Sequence, residues 1–458
     1  MRAIGFKNFR RFKGMEPITL GGVNMFVGGN NAGKSTVVKG LLLLLDFLKN
    51  SKSSYNETPK FRFDGNESHD VNIDTFKRAL CWYTEEKEIA FTASLGNFDL
   101  EVCLFSSKDD EKEDVSYADV KYIKIADSCT NITLDFQFTE ESGNSGVKII
   151  TPKLEYFTEY HKDILSDDLP DVVSYLSDLT NPIYADTPKD KTRQHLLKQY
   201  GSQLQEIRDR FKKTISRIHL EYIYSHDASQ KVLYNKKDGN DYVSKSIHEF
   251  YNQRITSKSR VGKDVVCRWL KILCDVDDYR IKSIQGEAYQ FELKTGGKWV
   301  NLADMGRGSI QIVTLVVRIA SIIKKYEKDN FMRNMSDDWL EPIVLVEEPE
   351  QNLHPALQSK LTELFYDVFS RYGIRFIIET HSEYMVRETQ IQVAKLDCKN
   401  ESELESRNPF AVYYFPEYGN PYSMGYTPKG SFLNNFDTGF FDKATLLQFE
   451  LMKVGKGK

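Results

Sequence analysis

The chain has 458 residues, which is more than one compact core usually contains and predicts two or three domains. Its 62 basic and 66 acidic side chains exclude a uniformly basic nucleic-acid-binding protein, so any such surface must come from local clustering. The six cysteines give no CxxC pair and no zinc-finger spacing, which indicates reduced thiols in a cytoplasmic protein. The N-terminus lacks the apolar core of a signal peptide and the LLLLLDF run is too short to cross a bilayer, so no membrane partner is expected.

The first half of the chain is predicted to be rich in strands. RAIGFKNFRRF and ITLGGVNMFVGGNNAGKST followed by VVKGLLLLLDFLKN predict strand, strand, glycine loop and helix. Residues 51–75 are polar and predict a surface loop. Four alternating stretches, EIAFTASLG, FDLEVCLF, YADVKYIKIAD and NITLDFQF, then predict antiparallel strands, with the acidic KDDEKED as a hairpin tip.

A long amphipathic helix is predicted between Lys189 and Arg217, where apolar residues recur at spacings of three and four. This range holds nine lysines and arginines against three acidic residues, and a second basic cluster follows at Arg254, Lys258, Arg260 and Lys263. Two interpretations stay open. The charges form a solvated helix face, or they form a docking surface for nucleic acid or an acidic protein.

The last third predicts a parallel sheet covered by helices. Strand-like alternation in YRIKSIQGEAYQFELKTGGKWVNLADMG precedes a buried helix in SIQIVTLVVRIASIIKKYEK. A strand EPIVLVEE, a helix HPALQSKLTELFYDVFSRYG and a strand IRFIIETH follow. Alternating strands and helices of this kind predict an α/β fold.

The stretch GGNNAGKS satisfies the phosphate-binding P-loop pattern. Its glycines let successive backbone N–H groups wrap the phosphates, its lysine reaches the β- and γ-phosphates, and its serine hydroxyl binds Mg²⁺. A glycine-rich turn without a ligand is the alternative, and the apolar strand before it and the helix after it disfavour that alternative. The residues predicted to bind ATP are Gly28, Asn30, Asn31, Ala32, Gly33, Lys34, Ser35 and Thr36, with Lys34 also in a catalytic role.

Two carboxylates end the apolar strand IVLV, and burying adjacent charges is costly unless a metal or a reaction uses them. We expect Glu347 to hold Mg²⁺ together with Ser35, and Glu348 to act as the base that activates the attacking water. His381 follows the next strand and is expected to reach the γ-phosphate. Without the P-loop, the glutamates could merely open a surface loop and His381 could be a structural hydrogen-bonding residue.

These stretches, together with IGFKNFRRF and LADMGRGSIQIVTLV, resemble the ATP-binding-cassette (ABC) ATPases of the SMC, RecF and OLD-like group. EEPEQNLHP and ETHSEYMV are especially similar to the OLD-like ATPases of bacterial anti-phage systems. The resemblance covers about residues 1–140 and 275–390. It implies an ABC-type P-loop ATPase head, a mixed sheet with flanking helices plus an antiparallel β lobe, and a mainly helical insert. We therefore expect an N-terminal lobe at 1–145, a basic insert at 146–275 and a C-terminal lobe at 276–458.

The resemblance also implies further nucleotide-binding residues. MGRGSIQ stands at the family's signature motif, so Gly306, Gly308 and Ser309 would cap the γ-phosphate bound by a second copy of the chain. Gly306 replaces the usual serine of that motif, so backbone groups, Arg307 or Ser309 must take over the contact of its hydroxyl. Asn352 corresponds to the loop that links the two sites of the dimer. Arg10 corresponds to a basic residue that lies against the nucleotide, with an ordinary surface arginine as the alternative.

The glutamine loop of the family has no clear counterpart in this sequence. Gln137 is the only glutamine between Thr36 and Ile150, and its alternating strand context makes it a poor candidate. The sequence therefore leaves the set of Mg²⁺ ligands incomplete.

The chain carries one copy of each motif, so the resemblance implies an ATP-sandwich homodimer and a higher oligomer. OLD-like nucleases carry a C-terminal Toprim domain, and only 77 residues follow His381, so a nuclease effector is expected on a separate polypeptide. That arrangement, the chain's size and the segment GSFLNNFDTGFFDKATLLQFEL are similar to the ATPase subunit of PARIS-type systems. Such subunits imply an inactive Toprim nuclease partner and a phage trigger protein, which can be an acidic DNA mimic.

Two other functions stay open. One is an SMC- or RecF-like repair ATPase that binds DNA directly, although an insert of roughly 130 residues is too short for a long coiled-coil arm. The other is a transporter ATPase, which the N-terminal NFRRF and the large insert disfavour.

Overall fold

The structure, a computed structural model, describes residues 1–50, 59–64, 73–106, 116–138, 146–151, 155–159, 191–225, 230–237, 241–256, 260–333, 341–438 and 440–456. The strands are β1 (Ala3–Phe9), β2 (Phe12–Thr19), β3 (Val23–Gly28), β4 (Lys60–Arg62), β5 (Glu88–Leu95), β6 (Phe98–Phe105), β7 (Tyr117–Asp127), β8 (Ile132–Gln137), β9 (Gly146–Ile150), β10 (Glu155–Glu159), β11 (Ile218–Ile223), β12 (Tyr234–Asn235), β13 (Asp278–Ile284), β14 (Ala288–Thr295), β15 (Lys298–Asn301), β16 (Glu341–Glu347), β17 (Arg375–Thr380), β18 (Phe410–Phe415) and β19 (Tyr422–Ser423). The helices are α1 (Lys34–Asn50), α2 (Phe76–Ala79), α3 (Lys191–Arg217), α4 (Tyr242–Thr256), α5 (Val261–Cys274), α6 (Arg307–Arg333), α7 (Pro355–Tyr372), α8 (Glu383–Ala394), α9 (Glu401–Arg407) and α10 (Lys443–Lys456).

The chain divides into two compact units that cut across the three predicted segments. The first unit comprises Met1–Leu20, Gly33–Ile218 and Tyr418–Pro421, and the second comprises Gly21–Ala32, His219–Glu417 and Tyr422–Lys458. Strand β3 belongs to the second unit because it pairs with β17 and β18, although both strands come more than 340 residues later in the chain. The boundaries at 145 and 275 stay a prediction about domains.

The first unit is built on an antiparallel sheet with the strand order β10-β9-β8-β7-β6-β5-β1-β2. The pairing of β5, β6, β7 and β8 confirms the four predicted antiparallel strands. The predicted loop at 51–75 is wrong at Lys60–Arg62, which forms β4 against β7 because Phe61 is buried in the core. The predicted acidic hairpin tip lies outside the described residues. Helix α3 confirms the predicted amphipathic helix, and its Phe211 packs edge-on against Phe98 with ring centroids 5.2 Å apart.

The second unit is built on a sheet with the strand order β11-β16-β17-β3-β18-β19. Strands β16, β17, β3 and β18 run parallel, which confirms the predicted α/β architecture. Helix α6 confirms the predicted buried helix, and α4 and α5 contact it. A smaller antiparallel sheet of β12, β14, β13 and β15 completes the unit. Across the described ranges, no helix combines the length and the apolar character that a membrane span requires.

Candidate functional site

The P-loop connects β3, a fully buried strand, to the first turn of α1. A side chain at Gly28 would collide with the backbone of Phe415 in the neighbouring β18, so only glycine fits there. Asn31 and Gly33 both have left-handed backbones, with φ of 60° and 98°, which curl the loop back toward the helix. Lys34 is the first residue of α1 and is only 3% exposed. The chain therefore forms a tight loop at the N-terminus of a helix.

The remaining P-loop residues surround the start of α1. Asn30 and Asn31 are exposed, Ser35 is half-buried, and Ala32 and Thr36 are buried. The first N–H groups of an α-helix have no intrahelical partner, and the helix dipole favours an anion at this end. This local geometry suits a phosphate group.

The predicted carboxylates lie at the end of β16, at the same edge of the sheet at which β3 ends. Glu347 is the last residue of β16 and lies in register with Glu379 of β17, which in turn pairs with Phe26 of β3. Glu348 follows with a left-handed φ of 41°, and its N–H donates to the carbonyl of Glu379 at 2.8 Å. A left-handed backbone at a residue other than glycine is strained and is common at functional sites. The left-handed backbone and this hydrogen bond fix the backbone position of Glu348 directly after the end of β16.

Two groups from β11 and the residues after it bind Glu347. The Tyr222 hydroxyl donates a hydrogen bond to Oε1, and the backbone N–H of Ser225 donates to Oε2 at 3.4 Å. Strand β11 lies beside β16 in the sheet. These contacts were not predicted, because β11 begins at the residue directly after the last residue of α3 and no turn residue marks its start. An alternation of apolar and polar residues over HLEYI was the available signal.

His381 and Glu348 lie close together at this edge. The Nε2 atom of His381 is 3.5 Å from Oε1 of Glu348, and both side chains are one-third exposed. Gln351 donates a hydrogen bond from its side-chain amide to the other carboxylate oxygen of Glu348. The structure thus brings the predicted base, Glu348, and His381 together in the second unit.

Glu350 is a further acidic residue of this site that the sequence pattern did not assign. Its Oε1 accepts a hydrogen bond of 2.7 Å from the backbone N–H of His381, which holds the histidine to the carboxylate loop. Its Oε2 is buried and has no hydrogen-bond partner in the part of the chain that the structure describes. Burial raises the pKa of the Glu350 carboxyl, while the His381 N–H opposes that rise.

The predicted signature motif lies at the N-terminus of α6. Gly306 and Arg307 are exposed, and a Cβ added at Gly306 would meet no atom within 4 Å. Gly308 instead packs on the loop after the carboxylates, where an added Cβ would lie 2.7 Å from the carbonyl oxygen of Asn352. Asn352 itself has a left-handed φ of 59°. Gly308 and Asn352 are thus neighbours within one chain, with Ser309 half-buried in the first turn of α6.

Arg10 lies in the turn between β1 and β2 of the first unit and has a left-handed φ of 52°. Its side chain is half-buried, and among the described residues no carboxylate pairs with it. Burial and the positive charge of Arg78 both lower the pKa of the Arg10 guanidinium. A buried cation in a positive environment favours binding of an anion.

The side-chain amides of Gln137 and Gln230 donate hydrogen bonds to residues other than the carboxylates that end β16. Gln137 is exposed on β8 and donates to Asp135 at 3.3 Å. Gln230, the first glutamine after β11, donates to the carbonyl of Met305 at 3.0 Å, next to the glycines of the signature motif. Neither glutamine is therefore assigned to the glutamine loop of the family.

The basic clusters are partly used inside the protein. Arg210 of α3 makes a two-pronged ion pair with the buried Asp127 at 2.9 and 2.7 Å, so it is not available for docking. Lys212 and Lys213 are exposed on the same helix, and Arg260 and Lys263 are exposed at the start of α5. Lys189 and Lys258 and the side chain of Arg254 lie outside the described residues.

The model of the AAA ATPase domain family matches residues 1–386, which include every candidate site residue from Arg10 to His381. Among solved structures, the chain is similar to an SMC head bound to the C-winged helix domain of ScpA (TM-score 0.39, 11% identity, 93% of this chain and 98% of that one). It is also similar to the SMC head domain from Thermotoga maritima (0.32, 10%, 90% and 95%). A third similar structure is the recombination mediator protein RecF (0.30, 12%, 93% and 98%). No curated protein matches the sequence.

Proposed function

The chain belongs to the AAA ATPase domain family, and on this basis we propose that it hydrolyses ATP with Mg²⁺ at a site that a second copy completes. The observation that carries the proposal is the common end of three parallel strands in one sheet. Strand β3 leads into the P-loop, β16 ends at Glu347, and β17 ends just before His381. Ligands of open α/β sheets bind at the carboxyl ends of the strands, so this edge is the expected place for a nucleotide.

We assign each residue the role that its chemistry allows. Lys34 and the backbone N–H groups of the P-loop bind the β- and γ-phosphates. Glu348 accepts the proton of the attacking water, and His381, 3.5 Å from it, orients the water or the γ-phosphate. Glu350 holds the His381 backbone in place through the bond of 2.7 Å. Removal of the base should therefore stop hydrolysis but leave nucleotide binding intact.

The oxygen donors of the chain fit Mg²⁺. This ion favours a few oxygen ligands from protein together with phosphates and water, and Ser35 and Glu347 are donors of that type. Within the described residues, no group of three or more His, Cys, Asp or Glu side chains is arranged to hold a metal ion. When bound, Mg²⁺ supplies positive charge that stabilises the negative charge on the transferred phosphoryl group.

The second copy is proposed because the chain presents Gly306 and Arg307 to solvent at the N-terminus of α6. Gly306 and Arg307 are exposed, so a phosphate held by another chain can approach the backbone there. Free N–H groups and the helix dipole favour such an anion. ATP would then join two chains, and hydrolysis would separate them.

For the biological role, we propose an SMC-, RecF- and OLD-like ATPase that serves as sensor and oligomeric scaffold in anti-phage defence, of the PARIS type. It would hold a separate Toprim nuclease inactive and release it when a phage trigger protein binds. The support is the resemblance of EEPEQNLHP and ETHSEYMV to the ATPases of such systems. Lys212 and Lys213, exposed on α3, would bind a trigger with an acidic surface.

The experiment that tests this function is the native mass of the protein, co-expressed with the product of the adjacent gene, with and without ATP. A large complex that contains a second protein and forms only with ATP supports the scaffold. A dimer without a second protein, which binds DNA in an ATP- and salt-dependent manner, supports the alternative of a repair ATPase.

The trigger surface has its own test. Charge reversal at Lys212, Lys213 and Arg217 should abolish the response to the trigger, because an acidic partner would then be repelled. ATP hydrolysis should stay at the wild-type rate. Charge reversal at Arg260 and Lys263 tests the second basic cluster in parallel, and a normal response in both variants would contradict a basic docking surface.

A further inference from the structure

Two adjacent aromatic residues stand at the tip of a turn in the first unit. Thr84 donates a backbone hydrogen bond of 3.4 Å to Cys81, and the two residues between them, Trp82 and Tyr83, are 66% and 72% exposed. Turn tips favour small or polar residues. Two large rings left in water at such a place indicate a binding function.

This turn is fixed to the connection between β1 and β2. The N–H of Cys81 donates to the carbonyl of Asn8 at 2.9 Å, and the N–H of Trp82 donates to the carbonyl of Arg10 at 3.2 Å. In the other direction, the N–H of Arg10 donates to the carbonyl of Ala79 at 2.7 Å. The backbone that carries the indole is therefore held before any ligand arrives, which reduces the entropy cost of binding.

The connection between β1 and β2 also packs against the phosphate-binding loop. A Cβ added at Gly33 would lie 2.5 Å from Cδ of Arg11 and 2.6 Å from the ring of Phe12. Arg10 precedes Arg11 in the chain, and its carbonyl accepts the hydrogen bond from the N–H of Trp82. Its guanidinium is half-buried and has no carboxylate partner among the described residues. Gly33, the Arg10–Arg11 turn and Trp82 thus follow one another in direct contact, all within the first unit.

We propose that Trp82 is the platform on which the base of the bound nucleotide stacks. In a nucleoside triphosphate the ribose separates the base from the phosphates, so the base must lie to one side of the P-loop. The Arg10–Arg11 turn connects Trp82 to Gly33, and Arg10 carries the positive charge that suits a phosphate or ribose oxygen. This inference rests on the proposed function, and it identifies the residue that recognises the base of the substrate. Because every base has a π face, stacking binds ATP and GTP by the same contact.

Calorimetric titration of the full chain with a non-hydrolysable ATP analogue, and separately with tripolyphosphate, tests the platform in the presence of Mg²⁺. Trp82→Ala should weaken binding of the ATP analogue by about 5- to 150-fold, the range measured for loss of one base–aromatic stack. Its affinity for tripolyphosphate, which has no base, should stay at the wild-type value. Trp82→Phe should retain binding of the ATP analogue to within about threefold, because a ring remains.

Fluorescence gives a second measurement on the same proteins. Nucleotide, but not tripolyphosphate, should quench part of the tryptophan emission of the wild type, and Trp82→Phe should lose that quenching while it keeps affinity. Trp299→Ala is the matched control, because Trp299 is partly exposed and packs under Arg280, 4.1 Å from its ring centroid, in the second unit.

The possible failures can be told apart. If Trp82→Ala binds the ATP analogue as tightly as the wild type, Trp82 is not the platform, and a change in assembly mass would then assign it to a protein interface. If the variant loses affinity for ATP analogue and tripolyphosphate equally, Trp82 only supports the fold of the β1–β2 turn, and the inference is wrong. If the wild type binds neither the ATP analogue nor tripolyphosphate, both the proposed ATPase function and the inference about Trp82 are wrong.

Discussion

Tyr222 donates a hydrogen bond to Glu347, although 125 positions separate them in the chain. Strand β11 brings the phenol to the end of β16, and Ser225 adds a backbone bond of 3.4 Å to the other carboxylate oxygen. Hydrogen-bond partners of a metal ligand orient it, and their loss typically costs 10- to 100-fold in metal affinity or activity. Tyr222 is therefore a positioning residue for the proposed Mg²⁺ ligand.

We expect Tyr222→Phe to raise the Mg²⁺ concentration needed for half-maximal ATP hydrolysis by about tenfold, with little change in KM for ATP at saturating Mg²⁺. The measurement is a Mg²⁺ titration of steady-state hydrolysis. Tyr224→Phe is the control, because Tyr224 follows two residues later and packs on Tyr242, with ring centroids 4.4 Å apart. Equal Mg²⁺ dependence in wild type and Tyr222→Phe would contradict this role.

Glu348→Gln should lower the rate of ATP hydrolysis by at least about 100-fold, because a neutral amide cannot take the proton of water. ATP should remain bound, and the ATP-dependent dimer should persist for longer than in the wild type. Lys34→Ala should abolish nucleotide binding itself. Rapid-quench assays and light scattering measure both effects, with Glu403→Gln on the exposed helix α9 as a control. A Glu348→Gln protein that turns over ATP normally would show that another group is the base.

Stability should depend on pH through Glu350. Burial raises the pKa of this carboxyl above the ordinary 4.5, so the folded protein binds its proton more tightly than the unfolded chain does. The contribution of Glu350 to the free energy of unfolding is therefore most favourable at pH values below the ordinary pKa of 4.5. It is lost as the pH rises through the raised pKa of the folded protein. Glu350→Gln removes this dependence and retains an acceptor for the His381 N–H.

Chemical denaturation of the wild type and of Glu350→Gln between pH 4 and 8 measures this difference. The variant should gain stability relative to the wild type as pH rises, with a slope of at most about 1.4 kcal/mol per pH unit, the value for one proton. Glu350→Ala should lose about 1–3 kcal/mol at every pH, because the His381 N–H loses its acceptor. A constant difference between wild type and Glu350→Gln would mean that Glu350 has an ordinary pKa.

The elements that the sequence predicts well are those with a local pattern. The alternation in β5 to β8 and the apolar runs of β16 and β17 are visible in any short window, and the P-loop is a contiguous motif. The alternating strands and helices of the last third predict a parallel sheet, but that β3, from the start of the chain, lies inside this sheet is seen only in the structure. These features place Lys34, Glu347, Glu348 and His381 on their elements without further information.

The contacts that the sequence does not predict depend on distant pairing. Strand β11 starts at Ile218, directly after Arg217 ends α3, so no turn residue separates a helix from a strand. Tyr222 gains its role only because β11 lies beside β16.

The two glycines before and within α6 should respond differently to alanine. A Cβ at Gly308 would lie 2.7 Å from the Asn352 carbonyl, so Gly308→Ala should lose about 1–3 kcal/mol of stability without ATP. Gly306→Ala has free space and should stay within about 0.5 kcal/mol of the wild type. Both should weaken ATP-dependent dimerisation in the Glu348→Gln background, measured by light scattering. Normal dimerisation of Gly306→Ala would mean that no partner phosphate approaches Gly306.

The ion pair between Asp127 and Arg210 should anchor α3 to the antiparallel sheet. Asp127 is almost fully buried and Arg210 is about one-quarter exposed, with its guanidinium also 5.3 Å from the ring centroid of Phe98. Burial alone would raise the pKa of the Asp127 carboxyl, but Arg210, Thr130 and the Cys129 N–H stabilise the charged form and bring the pKa below its ordinary 3.8. The stabilisation is therefore present above pH 3.8 and is lost as pH falls through the lowered pKa.

Asp127→Asn should remove the buried counter-charge of Arg210, leave only the exposed Glu206 as its partner, and destabilise the docking of α3 by about 1–3 kcal/mol. Hydrogen exchange of the α3 backbone measures this directly, and exchange between Ile207 and Ile215 should accelerate by about 5- to 150-fold at pH 7. The double variant Asp127→Asn, Arg210→Met should recover part of the protection, because the unpaired charge is gone. Glu206→Gln, which removes only an exposed partner of Arg210, serves as the control. Unchanged exchange in Asp127→Asn would mean that the apolar contacts of Phe211 alone hold the helix that carries the basic cluster.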